Sequence, residues 1–229
     1  MTTETKAMRQ IRSFVRREGR LTPGQQRALD NHWPIFGIED DTDLSDLNAL
    51  FGRTAPKVIE IGFGNGASLI EMAKNHPDHD YIGIEVHRPG VGQLLKGIDD
   101  EQLSNVRVAC TDAVQLLKQR IKNQALARVQ IYFPDPWHKK RHNKRRIIQP
   151  EFVNVLADKL EHGGHLHLAT DWQDYAEQML ADVSSNTRFQ NTSHDNTYIE
   201  RPDYRPLTKF EQRGHRLGHG VWDLVFKRI

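Results

Sequence analysis

From residue 57 to residue 66 the chain reads Lys57-Val58-Ile59-Glu60-Ile61-Gly62-Phe63-Gly64-Asn65-Gly66. The first five residues form a mostly apolar run of the kind that makes a buried strand. The glycines that follow at every second position allow a tight turn, because glycine adopts positive φ without steric cost. Residues 67–75 then have the pattern of a helix. A buried strand, a glycine-rich turn and a helix in succession are typical of a βα unit that binds a nucleotide.

The rest of the chain continues this alternation of strands and helices. Strands are expected at residues 81–85, 106–109, 129–133, 165–169 and 221–226, and helices at 91–96, 113–122, 150–160 and 172–183. The pair Gly163-Gly164 is expected to end the helix that begins at Pro150. This alternation predicts an α/β fold with a mainly parallel sheet and helices on both faces. Residues 1–54 lack the pattern, so we expect a basic, irregular lead-in before one domain over residues 55–229.

Composition narrows the class of protein. The chain has 229 residues, a formal net charge of +2 and a single cysteine, Cys110. One cysteine allows no internal disulfide and no cysteine-based zinc site, and no apolar run approaches the roughly 18 residues of a membrane helix. The polar, basic N-terminus lacks the apolar centre of a signal peptide. We therefore expect a cytoplasmic enzyme with neither a membrane association nor a metal site, and the sequence leaves monomer and homodimer open.

Carboxylates stand at the ends of the first three predicted strands, where an open α/β sheet binds its ligand. Glu60 precedes the glycines and is expected near the cationic methionine part of S-adenosylmethionine. Glu85 ends the second strand, where a nucleotide fold places the acid that holds ribose hydroxyls. Asp112 follows the third strand and could accept from an adenine amino group. The G-x-G-x-G spacing fits this cofactor better than the G-x-G-x-x-G of dinucleotide enzymes, with the glycines at Gly62, Gly64 and Gly66.

A second motif lies in residues 131–146, where an apolar stretch leads into a proline-flanked carboxylate and then a block of cations. Asp135 lies between Pro134 and Pro136, and proline fixes φ and removes a backbone donor, so this turn is stiff. The carboxyl end of a strand is where such sheets place reactive groups. The neighbouring cations favour a polyanionic substrate. The motif therefore predicts a chemical site beside a nucleic-acid site.

Two further segments are rich in cations. The N-terminal segment contains Arg9, Arg12, Arg16, Arg17, Arg20 and Arg27, and the C-terminal segment contains Arg201, Arg205, Lys209, Arg213 and Arg216. Together with the block at residues 139–146, they could fold onto one face that binds RNA. They could equally form three separate solvated surfaces, and the sequence leaves both arrangements open.

Taken together, the motifs resemble those of the bacterial tRNA (guanine-N7)-methyltransferases, from about Arg12 to the C-terminus. The most specific are Phe133-Pro134-Asp135-Pro136-Trp137 and Thr208-Lys209-Phe210-Glu211. The resemblance also covers the glycine turn and the segments Gly83-Ile84-Glu85-Val86, His142-Asn143-Lys144-Arg145-Arg146 and Ala169-Thr170-Asp171-Trp172.

The resemblance implies a Rossmann-like, S-adenosylmethionine-dependent methyltransferase fold that methylates N7 of a guanine in the tRNA variable loop, at position 46. It implies that Asp135 is the catalytic residue and that it lines the cofactor site together with Glu60, Glu85 and Asp112. The substrate contacts that it implies are Lys139, Asp171, Thr208, Lys209, Phe210 and Glu211. The RNA contacts that it implies are Arg141, His142, Asn143, Lys144, Arg145 and Arg146.

Several alternatives remain open at this point. Thr208 to Glu211 also has the pattern of a helix capping box, and the two roles can coexist. Trp137 could stack on a base or close the core beside the strand end. The first alternative function is a Rossmann-like methyltransferase that acts on an exocyclic amine of a nucleic acid. A non-catalytic RNA-binding scaffold is the second, and a nicotinamide enzyme, disfavoured by the glycine spacing, is the third.

Overall fold

The computed structural model describes residues 13–14, 19–207, 211 and 220–229. Its strands are β1 (Lys57–Ile61), β2 (Asp80–Ile84), β3 (Val106–Ala109), β4 (Leu126–Tyr132), β5 (Leu160–Thr170), β6 (Phe189–Asn191) and β7 (Trp222–Arg228). Its helices are α1 (Pro23–Phe36), α2 (Leu47–Phe51), α3 (Ala67–Asn75), α4 (Arg88–Asp100), α5 (Ala113–Arg120), α6 (Pro150–Lys159) and α7 (Gln173–Ser184). A 3₁₀ helix covers Lys140–Arg145.

The described strands form one sheet in the order β3-β2-β1-β4-β5-β7-β6. Neighbours among β1 to β5 pair in parallel, whereas β7 runs antiparallel to both β5 and β6. The strand order reverses between β1 and β4, and such a reversal opens a crevice at the carboxyl ends of the strands. The mainly parallel sheet that the sequence predicts is therefore confirmed.

Helices cover the sheet on both faces, as predicted. On one face α5, α6 and α7 bury apolar side chains such as Leu117, Leu156 and Met179 against β1 and β4. On the other face α1, α3 and α4 do so against β1, β2 and β3 with side chains such as Leu29, Leu69 and Leu94. Each buried side chain of this size contributes roughly 1.5–3 kcal/mol relative to an exposed one, so both layers hold the sheet in place. No helix in the described part of the chain is long and apolar enough to cross a membrane.

The lead-in before residue 55 contains two helices, so the expectation of an irregular segment is wrong for them. Helix α1 begins with a capping box, in which the Gln25 backbone N–H donates to Thr22 Oγ1 (3.2 Å) and the Thr22 N–H donates to Gln25 Oε1 (2.9 Å). After the helix, the Ile38 N–H donates to the Val108 carbonyl at 2.8 Å, which ties the segment to β3. The capping residues Thr22 and Gln25 have the spacing of a capping box in the sequence. The domain boundary expected at residue 55 stays a prediction.

The glycine pair at 163–164 does not end a helix. Helix α6 ends at Lys159 and β5 starts with the next residue. Gly163 has φ +87° within an irregular part of β5, where the pairing with β4 shifts. A Cβ on Gly164 would lie 3.0 Å from the carbonyl oxygens of Ala127 and Glu161. These glycines therefore permit a close approach of backbones inside the sheet. In the sequence, a glycine pair with this role looks the same as a glycine pair that ends a helix.

Candidate active site

A cleft of about 600 Å³ opens at the carboxyl ends of β1 to β4. Its lining includes Gly62, Glu85, Asp112 and Asp135, each of which follows a different strand. Ligand sites typically measure roughly 300–1,000 Å³. The structure thus brings together, in one cavity of suitable size, residues that the sequence placed at separate strand ends.

The glycine turn begins at the cleft, where Gly62 is part of the lining. The three glycines have positive φ, at +77°, +61° and +79° for Gly62, Gly64 and Gly66. A Cβ on Gly66 would also lie 2.7 Å from Leu94 Cδ1, so a larger residue would meet both backbone strain and a steric clash. The turn therefore requires glycine for its conformation, and the contact of Gly62, Gly64 and Gly66 with a cofactor stays a prediction.

Glu85 is fixed by backbone amides of the glycine turn and of the residues that directly follow it. Its Oε2 accepts from the Gly64 N–H at 3.0 Å, and its Oε1 accepts from Val86 and His87 at 2.7 and 3.0 Å. The carboxylate therefore joins the end of β2 to the glycine turn. Each carboxylate oxygen has more than one acceptor position, so ribose hydroxyls can still be bound.

Asp112 caps helix α5 and also lines the cleft. Its Oδ1 accepts from the backbone N–H groups of Val114 and Gln115, at 2.9 and 3.4 Å. Its Oδ2 accepts no hydrogen bond from the described part of the chain. One oxygen thus orients the side chain while the other can accept from a ligand amino group.

Glu60 does not line the cleft. It is only 3% exposed, and its Oε2 accepts from Gln130 Nε2 at 3.0 Å. Burial raises the pKa of Glu60 to about 7, although the hydrogen bond from Gln130 lowers it. A carboxyl group that is largely protonated below neutral pH attracts a cationic ligand weakly, and the role of Glu60 toward the cofactor stays a prediction.

Asp135 projects from a turn that is strained on both sides. Phe133 and Trp137 are non-glycine residues with φ of +50° and +48°, and such conformations each cost on the order of 1–3 kcal/mol. The Phe133 N–H donates to the Ala169 carbonyl at 2.8 Å, which anchors the turn to β5. Asp135 itself is exposed and makes no hydrogen bond or ion pair with the described residues. The turn therefore holds a carboxylate ready for a ligand.

Arg146 was expected to contact RNA, and the structure contradicts this. The residue is 3% exposed, because its guanidinium donates to the Pro136 carbonyl (2.8 Å), to Gln178 Oε1 (2.7 Å) and to Asp174. The basic run in the sequence gave no indication that its last member points inward. Arg146 instead supports the turn that carries Asp135.

Arg145 and Trp137 form a stacked pair beside the cleft. The Arg145 guanidinium lies 3.7 Å from the Trp137 ring centroid and donates to the Phe14 carbonyl at 3.3 Å. The Trp137 indole donates to the Ser13 carbonyl at 3.2 Å. Of the two roles considered for Trp137, this geometry favours the closing of the structure over base stacking. Residues 13 and 14, which carry no sequence signal for this role, line the same cleft.

The remaining residues of the basic segment differ in exposure. His142 and Asn143 are half-buried, and the pKa of His142 is lowered, first by partial desolvation and then by cations such as Arg141. The exposed cations are Lys139, Lys140, Arg141 and Lys144. These four are free to reach a polyanion, and the roles predicted for Lys139, Arg141 and Lys144 stay predictions.

A chain of buried polar side chains crosses the sheet from β1 to β7. Tyr132 donates to Gln130 Oε1 (3.2 Å), and its hydroxyl lies 3.0 Å from His167 Nδ1. His167 Nε2 lies 2.8 Å from Asp223 Oδ1. Because the carboxylate accepts, Nε2 carries a proton. Since Tyr132 donates its own proton to Gln130, Nδ1 accepts from the Tyr204 hydroxyl at 3.0 Å. Burial lowers the pKa of His167, although the hydrogen bond to Asp223 opposes this shift.

Arg205 lies at the end of this chain of buried side chains. It does not contribute to a basic RNA-binding face, which was one arrangement expected for the C-terminal segment. It is fully buried and donates twice to Asp223 and twice to Glu211, with all four distances at 2.7 Å. Burial opposes its charge, but the hydrogen bonds to Glu211 and Asp223 raise the pKa of Arg205 above its ordinary value. Arg205 was counted among the surface cations from the sequence and its buried role was missed, since its neighbours in sequence are those of a solvated cation.

The predicted substrate motif is described only in part. Glu211 is 3% exposed, and its carboxylate accepts from Arg205. Its contact with substrate stays a prediction, while Thr208, Lys209 and Phe210 lie outside the described residues, as does the rest of the capping box. Asp171 follows β5, is exposed and makes no hydrogen bond with the described residues. In the whole described part of the chain, no group of three or more His, Cys, Asp or Glu side chains is arranged to hold a metal ion.

The sheet order and the cleft at its carboxyl edge define a Rossmann-like methyltransferase fold. The structure is similar to that of a 16S rRNA methyltransferase, KamB, with a TM-score of 0.60 and 14% identity over 84% of this chain and 98% of that chain. A family model described as "Putative methyltransferase" matches residues 54–224.

Curated relatives cover almost the whole chain. A tRNA (guanine-N(7)-)-methyltransferase of Aeromonas hydrophila is 59% identical over 98% of this chain and 94% of its own length. A protein of the same name from Escherichia coli K12 is 58% identical over 97% and 93%. The chain therefore belongs to the tRNA (guanine-N(7)-)-methyltransferase family.

Proposed function

We propose that this chain transfers a methyl group from S-adenosylmethionine to N7 of a guanine in the variable loop of tRNA. Support comes from Asp135, a carboxylate without a partner among the described residues, on a proline-flanked turn between a cofactor-sized cleft and exposed cations. Family membership supports the same reaction. Under this proposal the protein acts in the cytoplasm, as a monomer or a homodimer.

The lining of the cleft fits the proposed cofactor. The Glu85 carboxylate would hold the ribose hydroxyls, and the free oxygen of Asp112 would accept from the adenine amino group. The backbone of the glycine turn would allow close approach without demanding a phosphate. S-adenosylmethionine would supply an electrophilic methyl group in this cleft.

The chemistry of guanine N7 determines what Asp135 must do. N7 is a neutral acceptor with an in-plane lone pair, so it requires no general base. The base gains positive charge as it is methylated, and a fixed carboxylate nearby stabilises that charge. Asp135 can also accept from guanine N–H groups and thereby orient the base. Asp171, at the end of the neighbouring strand, would hold the Watson–Crick edge.

The deciding experiment combines unmodified tRNA with methyl-labelled cofactor and maps the labelled nucleotide. We expect label on a variable-loop guanine, and no label when that guanine is replaced by 7-deazaguanine, which lacks only N7. Continued transfer to the 7-deaza transcript would contradict the proposal and favour methylation of an exocyclic amine. Binding of tRNA and cofactor with no transfer to any transcript would favour a scaffold.

The exposed cations of the basic segment should bind tRNA phosphates. Replacing Lys140, Arg141 and Lys144 together by alanine should weaken tRNA binding, because phosphate contacts release counterions. The log–log slope of affinity against salt concentration should fall by roughly 0.7–0.9 for each phosphate that is no longer neutralised. Cofactor affinity should not change, since adenosylmethionine has no phosphate. Filter binding across a salt series measures the slope.

A matched triple variant serves as the control. Lys74, Lys96 and Lys227 are exposed on α3, α4 and β7, and their replacement by alanine removes the same charge from other surfaces. An equal change of slope in both variants would indicate a general charge effect and contradict a site at the 3₁₀ helix. An unchanged slope in the first variant would move the RNA site to another basic segment.

A further inference from the structure

Trp172 is a large aromatic side chain that the fold leaves open at the edge of the active site. It is 38% exposed. The other large hydrophobic side chains that are exposed in the described part of the chain are aliphatic, namely Ile35, Leu207 and Ile229. Among these exposed side chains Trp172 is the aromatic one, and it offers a flat ring on which a base can stack.

The position of Trp172 is fixed by two contacts. Its backbone N–H donates to Thr170 Oγ1 at 3.2 Å, where β5 ends. Its ring packs edge-to-face on His138, with ring centroids 4.2 Å apart and an interplanar angle of 69°. His138 itself lines the cleft together with Asp135. The indole thus lies beside the cleft, next to the strand end that carries Asp135 and one residue after Asp171.

Trp137, the other tryptophan at the site, has no comparable free surface. One side of its ring is covered by the Arg145 guanidinium at 3.7 Å, and its indole N–H is bound to the Ser13 carbonyl. His142 packs against it at a centroid distance of 6.2 Å. A base that stacked on this side of the Trp137 ring would have to displace the guanidinium. Trp172 has His138 as its ring partner in the described part of the chain and keeps 38% of its surface exposed.

We propose that Trp172 is the surface on which the target guanine stacks, with His138 bracing the indole ring. This inference rests on the proposed methylation of guanine N7. A base taken out of its stack is commonly held by an aromatic side chain. The guanine edge would then face Asp135 and Asp171, whose carboxylates lack partners among the described residues.

The charge that develops on the guanine during the reaction means that stacking on Trp172 would stabilise the transition state as well as bind the substrate. The N7 lone pair forms the new N–C bond while the electron pair of the C–S bond returns to sulfur, so positive charge passes onto the guanine and no proton moves. The face of an indole ring is electron-rich and attracts cations. Stacking therefore strengthens from substrate to transition state, and an interaction that does so raises kcat rather than only lowering KM.

Three variants test the inference. Trp172→Leu keeps an apolar side chain but removes the aromatic face, Trp172→Phe keeps a smaller face, and Ile35→Ala removes an exposed apolar side chain elsewhere. We expect Trp172→Leu to lower kcat/KM for tRNA by roughly 5- to 150-fold, the range for loss of one base–aromatic stack. Most of this decrease should be in kcat. Trp172→Phe should recover part of it, and Ile35→Ala should match the wild type.

Binding of the product provides a readout that a purely structural role would not change. Wild-type protein should prefer N7-methylated over unmodified tRNA, and Trp172→Leu should reduce this preference by roughly 2- to 30-fold, the range of cation–π contacts. Wild-type kinetics and an unchanged preference in Trp172→Leu would overturn the inference. If wild-type protein methylates the 7-deaza transcript, the proposed function fails instead, so the two failures are distinguishable.

Discussion

Replacing Asp135 by alanine should reduce kcat by roughly 10²–10³-fold, the range for removing one preorganised electrostatic contact at a reacting centre. The fold should survive, because Asp135 is exposed and makes no hydrogen bond or ion pair with the described residues. Single-turnover methyl transfer measures the rate, and thermal unfolding measures the fold. A folded Asp135→Ala protein with wild-type turnover would show that the carboxylate is not catalytic.

Asparagine at the same position separates two roles of the carboxylate. Asp135→Asn keeps an acceptor oxygen for guanine N–H groups but removes the charge. If kcat decreases equally in the alanine and asparagine variants, the role of Asp135 is to stabilise charge. If kcat decreases much less in the asparagine variant, its role is to orient the base. Glu161→Gln, which neutralises an exposed carboxylate on β5 away from the cleft, is the matched control and should leave kcat unchanged.

Replacing Arg205 by methionine should lower the free energy of unfolding by about 3–5 kcal/mol, because the variant leaves buried carboxylates without their cation. Asp223 and Glu211 are 2% and 3% exposed, and each is deprived of two hydrogen bonds from the guanidinium. Urea denaturation measures the change in stability. Arg88→Met, at an exposed arginine of α4, removes the same side chain without burial and should change stability by less than roughly 0.5 kcal/mol.

A triple variant shows whether the unpaired charges cause this destabilisation. Arg205→Met combined with Asp223→Asn and Glu211→Gln removes the cation and both anions, and it should be more stable than Arg205→Met alone. If the triple variant were less stable still, the destabilisation would come from packing of the arginine stem and not from buried charge.

The sequence predicted the framework of the fold well. The periodicity located β1, α3 and β3 at the residues where the structure has them, because these segments are bounded by clear glycine and polar signals. The periodicity did not predict the features that depend on tertiary contacts. Strand β6 is three residues long, which is too short for a periodic signal, and within the described part of the chain it pairs only with β7. The irregularity at Gly163 resembles a helix end until the register of the sheet is known.

The candidate site was predictable to the extent that it follows strand ends. The carboxylates of Glu85, Asp112 and Asp135 meet at one edge because parallel strands bring their carboxyl ends together. The direction in which each basic side chain points was not predictable, since a run of cations does not reveal which of its members is buried. Arg146 and Arg205 were therefore placed on the surface, although the structure buries both. The exposed ring of Trp172 likewise depends on the packing of His138, which is distant in sequence.

The paired carboxylates around Arg205 also constrain how this sequence can drift over evolutionary time. Replacing Arg205 leaves two buried carboxylates without their cation, and replacing Asp223 or Glu211 leaves two buried guanidinium N–H donors without an acceptor. Selection should therefore remove lineages that carry only one change. An apolar trio of matching volume would be tolerated, but each single-step path to it passes through a poorly folding ancestor. Descendants of this protein should therefore keep all three residues or exchange them together, independently of any direct role in methyl transfer.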